Sequence, residues 1–91
     1  MFKAAKGTRL YEDIVNQVKL LIQDGVLGLG YKLPSEPELA EKFGVSRVTV
    51  REAIRIMEIL GMVKTFRGKG TIVIAASAED AKKRFSMLSL C

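Results

Sequence analysis

The stretch from Ser46 to Leu60, SRVTVREAIRIMEIL, constrains the fold more than any other part of the sequence. Its apolar residues recur at the three- and four-residue spacing of a single buried stripe on a helix. These residues are Val50, Ala53, Ile54 and Met57. The Ser46 hydroxyl can accept a hydrogen bond from the first turn, and Gly61 follows as the expected stop. The pattern therefore predicts one amphipathic helix over residues 46–60.

A second face of this predicted helix is basic. Arg47, Arg51 and Arg55 follow one another at intervals of four residues, so their guanidinium groups line up along the helix. Arginine can hold guanine with two parallel hydrogen bonds when a helix lies in the DNA major groove. Taken alone, the arginines are more simply explained as a solvated charged face. The sequence around the helix decides between the two interpretations.

The length and composition exclude several classes of protein. The 91 residues make one small domain, and a hydrophobic share of 48% is enough for it to fold. Histidine is absent and Cys91 is the only cysteine, so we expect no transition-metal site and no internal disulfide. A single thiol fits a cytoplasmic protein. No apolar run is long enough to cross a membrane, so we expect no membrane partner.

Charge is divided unevenly along the chain. Residues 10–46 hold three basic and six acidic side chains, a net charge of −3. Residues 47–74 hold six basic and two acidic side chains, a net charge of +4. This concentration of positive charge is typical of a domain that binds a polyanion. A membrane-surface helix is a weaker explanation, because Glu52 and Glu58 lie on the same helix.

The segments before the second helix are predicted from their apolar spacing and glycines. We expect a mobile basic arm over residues 1–7 and a first helix from Thr8 to about Asp24, with Gly25 as its stop. The main buried stripe of that helix is predicted to be Leu10, Ile14, Val18 and Leu21, widened by Val15 and Ile22. The glycine-rich segment that follows predicts a loop, with a short strand over residues 31–33.

Ser35 and Glu38 have the spacing of a capping box, in which each side chain satisfies a backbone N–H of the other residue. Pro37 fits the first turn of a helix, where backbone N–H groups have no partner within the helix. We expect this second helix to end near Phe43 and Gly44. Two helices joined by a short turn with glycine form a helix-turn-helix, here over residues 35–54. The second helix of such a pair is the one presented to DNA.

A β-hairpin is predicted after the helices. The runs 62–66 and 71–74 favour strands, and Arg67-Gly68-Lys69-Gly70 lies between them. Glycine lets a backbone approach sugar and phosphate closely, and Arg67 and Lys69 could reach phosphates or the minor groove. A tight surface turn also needs glycine and is often basic, so the hairpin alone leaves both interpretations open. Following a helix-turn-helix, it is better interpreted as a DNA-binding wing.

Together these motifs resemble a known family. The run KLPSEPELAEKFGVSRVTVREAI, followed by GMV and RGKGTIV, is similar to the DNA-binding domain of GntR-family bacterial transcription factors over about residues 10–74. The resemblance implies a winged helix-turn-helix, mainly α with a small β-hairpin, that has three helices plus a wing. It also implies a homodimer on an imperfect inverted repeat. The residues that it implies as DNA contacts are Ser35, Arg47, Thr49, Arg51 and Gly68.

Two departures from the family pattern affect what the resemblance implies. Pro37 stands where the family usually has an arginine that touches DNA, so affinity or operator sequence is expected to differ. Ile59 and Leu60 are apolar where family members are often polar. These two residues are explained either by ordinary core packing or by contact with another domain or subunit.

The resemblance also divides the chain. We expect residues 8–75 to form the DNA-binding domain, with the wing over residues 62–74. Residues 76–91, where Ser77 could cap a further helix, are expected to be a linker or the start of a missing C-terminal effector and dimerisation domain. The alternative is a complete short protein that dimerises through this tail. No cofactor is expected in this chain, and a small-molecule effector would bind the missing domain.

The function predicted from the sequence is sequence-specific regulation of transcription, as a repressor or an activator. The helix over residues 46–60 would enter the major groove of double-stranded operator DNA, and the wing over residues 66–71 would meet the backbone or minor groove. The predicted DNA-binding residues are Ser35, Arg47, Thr49, Arg51, Arg55, Arg67, Gly68 and Lys69. A winged-helix module for protein interaction is the alternative. An enzyme is not expected, because the sequence has no nucleophile elbow or phosphate-binding loop.

Overall fold

The computed structural model describes residues 1–5 and 10–75. Three helices precede a two-stranded antiparallel hairpin, which confirms the predicted winged helix-turn-helix. The elements are α1 (Leu10–Gln23), α2 (Glu36–Phe43), α3 (Arg47–Ile59), β1 (Val63–Phe66) and β2 (Gly70–Val73). The predicted tail over residues 76–91 lies outside the described residues. Within the described ranges, no helix is long and apolar enough to cross a membrane.

The buried face of α1 differs from the predicted stripe. Its buried residues are Ile14, Val15, Val18 and Ile22. Leu10 and Leu21 are only half-buried, so the face turned to the core is centred on the line from Ile14 through Val18 to Ile22. That four-residue spacing keeps the three side chains in one row along the helix, whereas Leu21 falls at its edge. The predicted cap at Thr8 lies outside the described residues.

The helix-turn-helix forms as the capping signals predict. The Ser35 side chain accepts a hydrogen bond from the Glu38 backbone N–H, and the Glu38 side chain accepts one from the Ser35 backbone. Gly44 ends α2 with a φ of 69°, a left-handed conformation that glycine adopts without steric cost. Ser46 then caps α3 by accepting from the Thr49 N–H. These caps fix both ends of the turn that sets α3 against α2.

The hairpin is joined to the loop that precedes α2. Within it Val63 pairs with Val73, and Thr65 pairs with Thr71. The short strand predicted over residues 31–33 is a single bridge, from Lys32 to Ile72. Two backbone hydrogen bonds of 2.9 Å support it, from Leu33 N–H to the Thr71 oxygen and from Val73 N–H to the Tyr31 oxygen. This bridge places the first turn of α2 beside the hairpin.

The core is shared by all three helices and the base of the hairpin. Its largest fully buried side chains are Phe43, Ile14, Leu27, Met57, Val18, Val50, Val63 and Val73. Ile54 packs only at the edge of this core. Ile59 and Leu60 are 56% and 38% exposed, so the ordinary core packing considered for them from the sequence is wrong. Ile59 is the last residue of α3, and Leu60 is its C-cap.

Residues 1–5 pack against the domain, which differs from the mobile arm predicted over residues 1–7; residues 6 and 7 of that arm lie outside the described residues. The Phe2 ring packs against Phe43 with ring centroids 5.2 Å apart. The Ala5 N–H donates to the Phe43 backbone oxygen at 2.8 Å. The Gln17 side-chain amide pairs with both backbone polar groups of Lys3, accepting at 2.9 Å and donating at 3.0 Å. An apolar anchor and paired backbone groups hold the segment in place, and its basic composition did not indicate either.

Candidate nucleic-acid interface

The exposed face of α3 carries three arginines on a rigid support. Arg47, Arg51 and Arg55 are exposed, as the sequence predicts. On the opposite side of the helix Val50 and Ala53 are fully buried, so packing fixes the position and rotation of α3. The arginine stems therefore start from defined points, and only the side chains need to be ordered.

Glu36 orders two of these side chains. Arg51 donates from Nε to Glu36 Oε2 at 3.1 Å and from Nη2 to Oε1 at 2.9 Å, a two-pronged contact. Arg47 Nε lies 3.5 Å from the same Oε1. The Glu36 side chain is 24% exposed, against 64% for Arg47 and 58% for Arg51. One carboxylate in the first turn of α2 therefore gathers two guanidinium groups of α3.

The electrostatics of the three side chains agree with this geometry. The hydrogen bond from Arg51 holds the pKa of the Glu36 carboxyl below its ordinary value, and the positive charges of Arg51 and Arg47 act in the same direction. The same hydrogen bond raises the pKa of Arg51. Glu36 is therefore ionised at neutral pH, and its charge offsets part of the positive charge of the α3 face.

A groove runs between the outer face of α3 and the hairpin. Its volume is about 780 Å³. Side chains from four parts of the fold line it. They include Arg51, Arg55 and Glu58 of α3, Glu36 and Glu38 of α2, Thr65 and Thr71 of the hairpin, and Lys32 of the bridging segment. The threonine hydroxyls bond each other at 3.0 Å across the strands. The groove thus combines hydroxyl and cationic groups, the usual protein partners of a sugar-phosphate backbone, with three carboxylates that offset the positive charge.

The hairpin tip projects beyond this groove. Arg67, Gly68 and Lys69 are all exposed. Gly68 has a φ of 80°, and a Cβ built there would meet no atom within 4 Å. The left-handed backbone, rather than crowding within the domain, therefore requires glycine at this position. Beside the tip, the Lys64 ammonium lies 5.4 Å from the centre of the exposed Phe66 ring.

Two of the predicted DNA-binding hydroxyls are already engaged within the domain. The Ser35 hydroxyl donates to Glu38 Oε1 at 2.9 Å. The Thr49 and Ser46 hydroxyl oxygens lie 2.9 Å apart, at the start of α3. The structure therefore gives these residues a role in capping, and a contact with DNA would use their remaining hydrogen-bonding capacity.

The comparisons with known proteins agree with this geometry. The sequence model described as "Bacterial regulatory proteins, gntR family" matches residues 10–73. This chain belongs to the GntR family. The match runs from the start of α1 to the end of β2, so it includes the helix-turn-helix, the groove and the hairpin tip.

Individual relatives of this GntR-family chain are regulators. The Uxu operon regulator of Haemophilus influenzae is 42% identical over 66 residues, covering 72% of this chain and 25% of that protein. The transcriptional repressor NagR of Bacillus subtilis is 40% identical over 72 residues, covering 79% of this chain and 30% of that protein. The chain thus spans less than a third of the length of these relatives.

One of the similar solved structures is a complex with DNA. The AraR DNA-binding domain in complex with operator ORX1 is 35% identical, with a TM-score of 0.66, covering 69% of this chain and 76% of that one. The likeness in sequence and in fold therefore extends to a domain that has been crystallised on its operator.

Two residues of the candidate interface in this GntR-family chain were not predicted from the sequence. Glu36 lies 15 residues before Arg51, and an acidic residue at a helix start is already explained by the helix dipole. Lys32 comes from a segment predicted mainly as loop, and only the bridge to Ile72 brings it to the groove. Pro37, where the family usually has arginine, is exposed on the first turn of α2 next to Glu36.

Proposed function

We propose that this chain is the DNA-reading part of a transcriptional regulator that recognises a specific operator sequence. In this proposal α3 lies in the major groove, with Arg47 and Arg51 contacting base edges. Arg55 and the hairpin tip meet phosphates or the minor groove. The observation that carries the proposal is the exposed, ordered arginine pair on α3, in a domain that is 35% identical to one crystallised on its operator.

The geometry supports a division of tasks within the interface. The first turns of a recognition helix enter the groove most deeply, and Arg47 and Arg51 start from those turns. Arg55 starts one turn later, beside the groove that ends at the hairpin. Arg67 and Lys69 stand on an exposed turn, where phosphate is the nearest chemical partner on a duplex.

Partners of the whole regulator belong to the proposal as well. We infer that the regulator binds an inverted repeat as a homodimer, since a single α3 reads one half-site and a two-fold operator matches a two-fold protein. A C-terminal domain would supply the dimer contact and bind a small-molecule effector. If so, two copies linked through their C-termini should bind an inverted repeat more tightly than the single chain, because linkage raises the local concentration of the second reader.

Selection of binding sites from random duplex DNA tests the central part of the proposal. We expect a short recovered motif, and binding to it that weakens steeply with salt. Recovery of sequences with no shared motif would contradict sequence-specific regulation. It would favour the alternative, a winged-helix module that binds another protein.

A further inference from the structure

We propose that Glu36 is a specificity-determining residue. Its carboxylate orders Arg47 and Arg51 and opposes their contact with phosphate, and so favours binding to the operator over binding to other DNA. The inference rests on the proposed function, since it concerns how the same interface discriminates among sequences. Glu36 acts through the arginines and is therefore a positioning residue, with no contact of its own to a base required.

The first step is that Glu36 is the least exposed member of the cluster and is shared by both arginines. It stands in the first turn of α2, next to the capping box of Ser35 and Glu38. Its side chain is 24% exposed, while those of the two arginines are more than half exposed. The long arginine side chains lose rotamer freedom when they bind this shared carboxylate. Part of the ordering needed for base recognition is therefore complete before DNA binds.

The second step concerns which N–H groups remain available. A guanidinium has five N–H donors in a planar fork. Arg51 uses its Nε and one Nη2 donor on Glu36. The two Nη1 donors and the second Nη2 donor stay free at the outer end of the side chain. That end can still offer two parallel hydrogen bonds to guanine O6 and N7, so base reading and the Glu36 contact are compatible.

The third step is that contact with phosphate competes with Glu36. The outer end of Arg51 could take a phosphate as well as a guanine. A phosphate is anionic, however, so the ionised Glu36 repels it and offsets the Arg51 charge that attracts it. The guanine edge is neutral, so the same carboxylate opposes a base contact less. Glu36 thus weakens non-specific binding more than operator binding.

The two arginines are not equally dependent on Glu36. Arg51 donates two hydrogen bonds to Glu36, whereas Arg47 makes one longer ion pair, with its Nε 3.5 Å from Glu36 Oε1. We therefore expect Arg51 to transmit most of the effect.

The test compares the unchanged chain with Glu36→Gln on two duplexes, the motif recovered by site selection and a shuffled duplex of the same composition. We expect the ratio of the two affinities to fall about tenfold, which is the usual value of one bidentate base contact. The salt slope on the shuffled duplex should steepen by about one phosphate contact, as the released arginine reaches the backbone. A ratio of affinities is unaffected by a change in the folded fraction, so lost stability cannot imitate this result.

Two further variants test whether Glu36 acts by positioning the arginines or only through its negative charge. Glu41→Gln removes the same charge from an exposed position of the same helix, and it should leave the ratio unchanged. In an Arg51→Ala background, Glu36→Gln should have little further effect on the ratio, because Glu36 acts through Arg51. The inference is overturned if Glu36→Gln strengthens binding to both duplexes equally, or if its effect persists without Arg51. If the unchanged chain prefers neither duplex, the proposed function itself is wrong.

Discussion

The exposed face of α3 and the tip of the β1–β2 hairpin carry similar cationic side chains on very different supports. Behind α3, Val50 and Ala53 are fully buried, and in front of it Glu36 holds two of the arginines. The hairpin tip stands at the end of a two-stranded ribbon. Among the described residues, no ion pair involves Arg67 or Lys69.

This difference in support underlies the proposed division of tasks between the two regions. Recognition of a base edge needs a donor pair held in a defined position and direction, and α3 supplies both through packing and an internal salt bridge. Contact with phosphate tolerates variation in position, because the backbone presents the same charge at every step. A loosely supported cation at the hairpin tip is sufficient for that task. Under the proposed function, we therefore expect α3 to read sequence and the hairpin to position the domain.

The largest effect is expected from a core substitution that weakens the packing behind α3 and leaves both cationic surfaces unchanged. Phe43 is 1% exposed and packs against the helices and against Phe2. Replacing it with alanine should lower the free energy of unfolding by about 3–5 kcal/mol, through lost apolar contact and a residual cavity. Urea denaturation measures this change. Arg67→Ala, at the exposed tip, is the control and should alter stability by less than about 0.5 kcal/mol.

Removing an α3 arginine should have the next largest effect. For Arg47→Ala we expect a loss of operator affinity of about tenfold, together with relaxed preference at one base pair. Arg55→Ala is the matched control, since it lies further along the same helix and should weaken binding without changing base preference. Titrations on the selected operator and its single-base variants provide the measurement. Unchanged preference in Arg47→Ala would mean that this arginine contributes charge alone.

Removing the N-cap of α3 should have an intermediate effect, on the stability of the helix that carries the arginines. Ser46 accepts from the Thr49 N–H at 3.1 Å at the start of the helix. Ser46→Ala should lower the free energy of unfolding by about 1 kcal/mol, since an N–H of the first turn loses its partner. Thermal unfolding measures the loss, and Ser46→Asp should restore most of it. Equal stability of the alanine variant and the unchanged chain would show that the turn positions α3 without the cap.

The smallest expected effect is the dependence of stability on pH. The pKa of Glu36 lies below its ordinary value in the folded state, so ionised Glu36 favours folding above that ordinary value. The contribution is lost as the pH falls through the lowered pKa. We expect the melting temperature of Glu36→Gln to be slightly lower than that of the unchanged chain at neutral pH. The two melting curves should converge in acid, and a difference that grows in acid would contradict this assignment.

Most of the fold follows from local signals in the sequence. The capping box at Ser35, the end of α2 at Gly44 and the cap at Ser46 depend on residues close together in sequence, and all three form as predicted. The three helices and the hairpin that the GntR resemblance implies are likewise present. In these cases the chemistry of one turn or one cap is complete within a few residues.

Contacts that depend on distant partners could not be predicted from the sequence. Glu36 meets Arg51 across 15 residues, and Lys32 reaches the hairpin only through its bridge to Ile72. Residues 1–5 dock through Gln17 and Phe43, although a short basic segment suggests mobility. A spacing pattern cannot indicate such pairs, because their distance is set by the packing of whole elements.

The division between reading and positioning is tested most directly by comparing Arg51→Ala with Lys69→Ala on the selected operator. Each variant is titrated against every single-base change at several salt concentrations. We predict that Arg51→Ala flattens the preference at one base pair. Lys69→Ala should instead weaken binding evenly across sequences and reduce the salt slope by about one phosphate contact. If Lys69→Ala altered base preference and Arg51→Ala did not, the hairpin would be the reader, and the assignment of the two regions would be wrong.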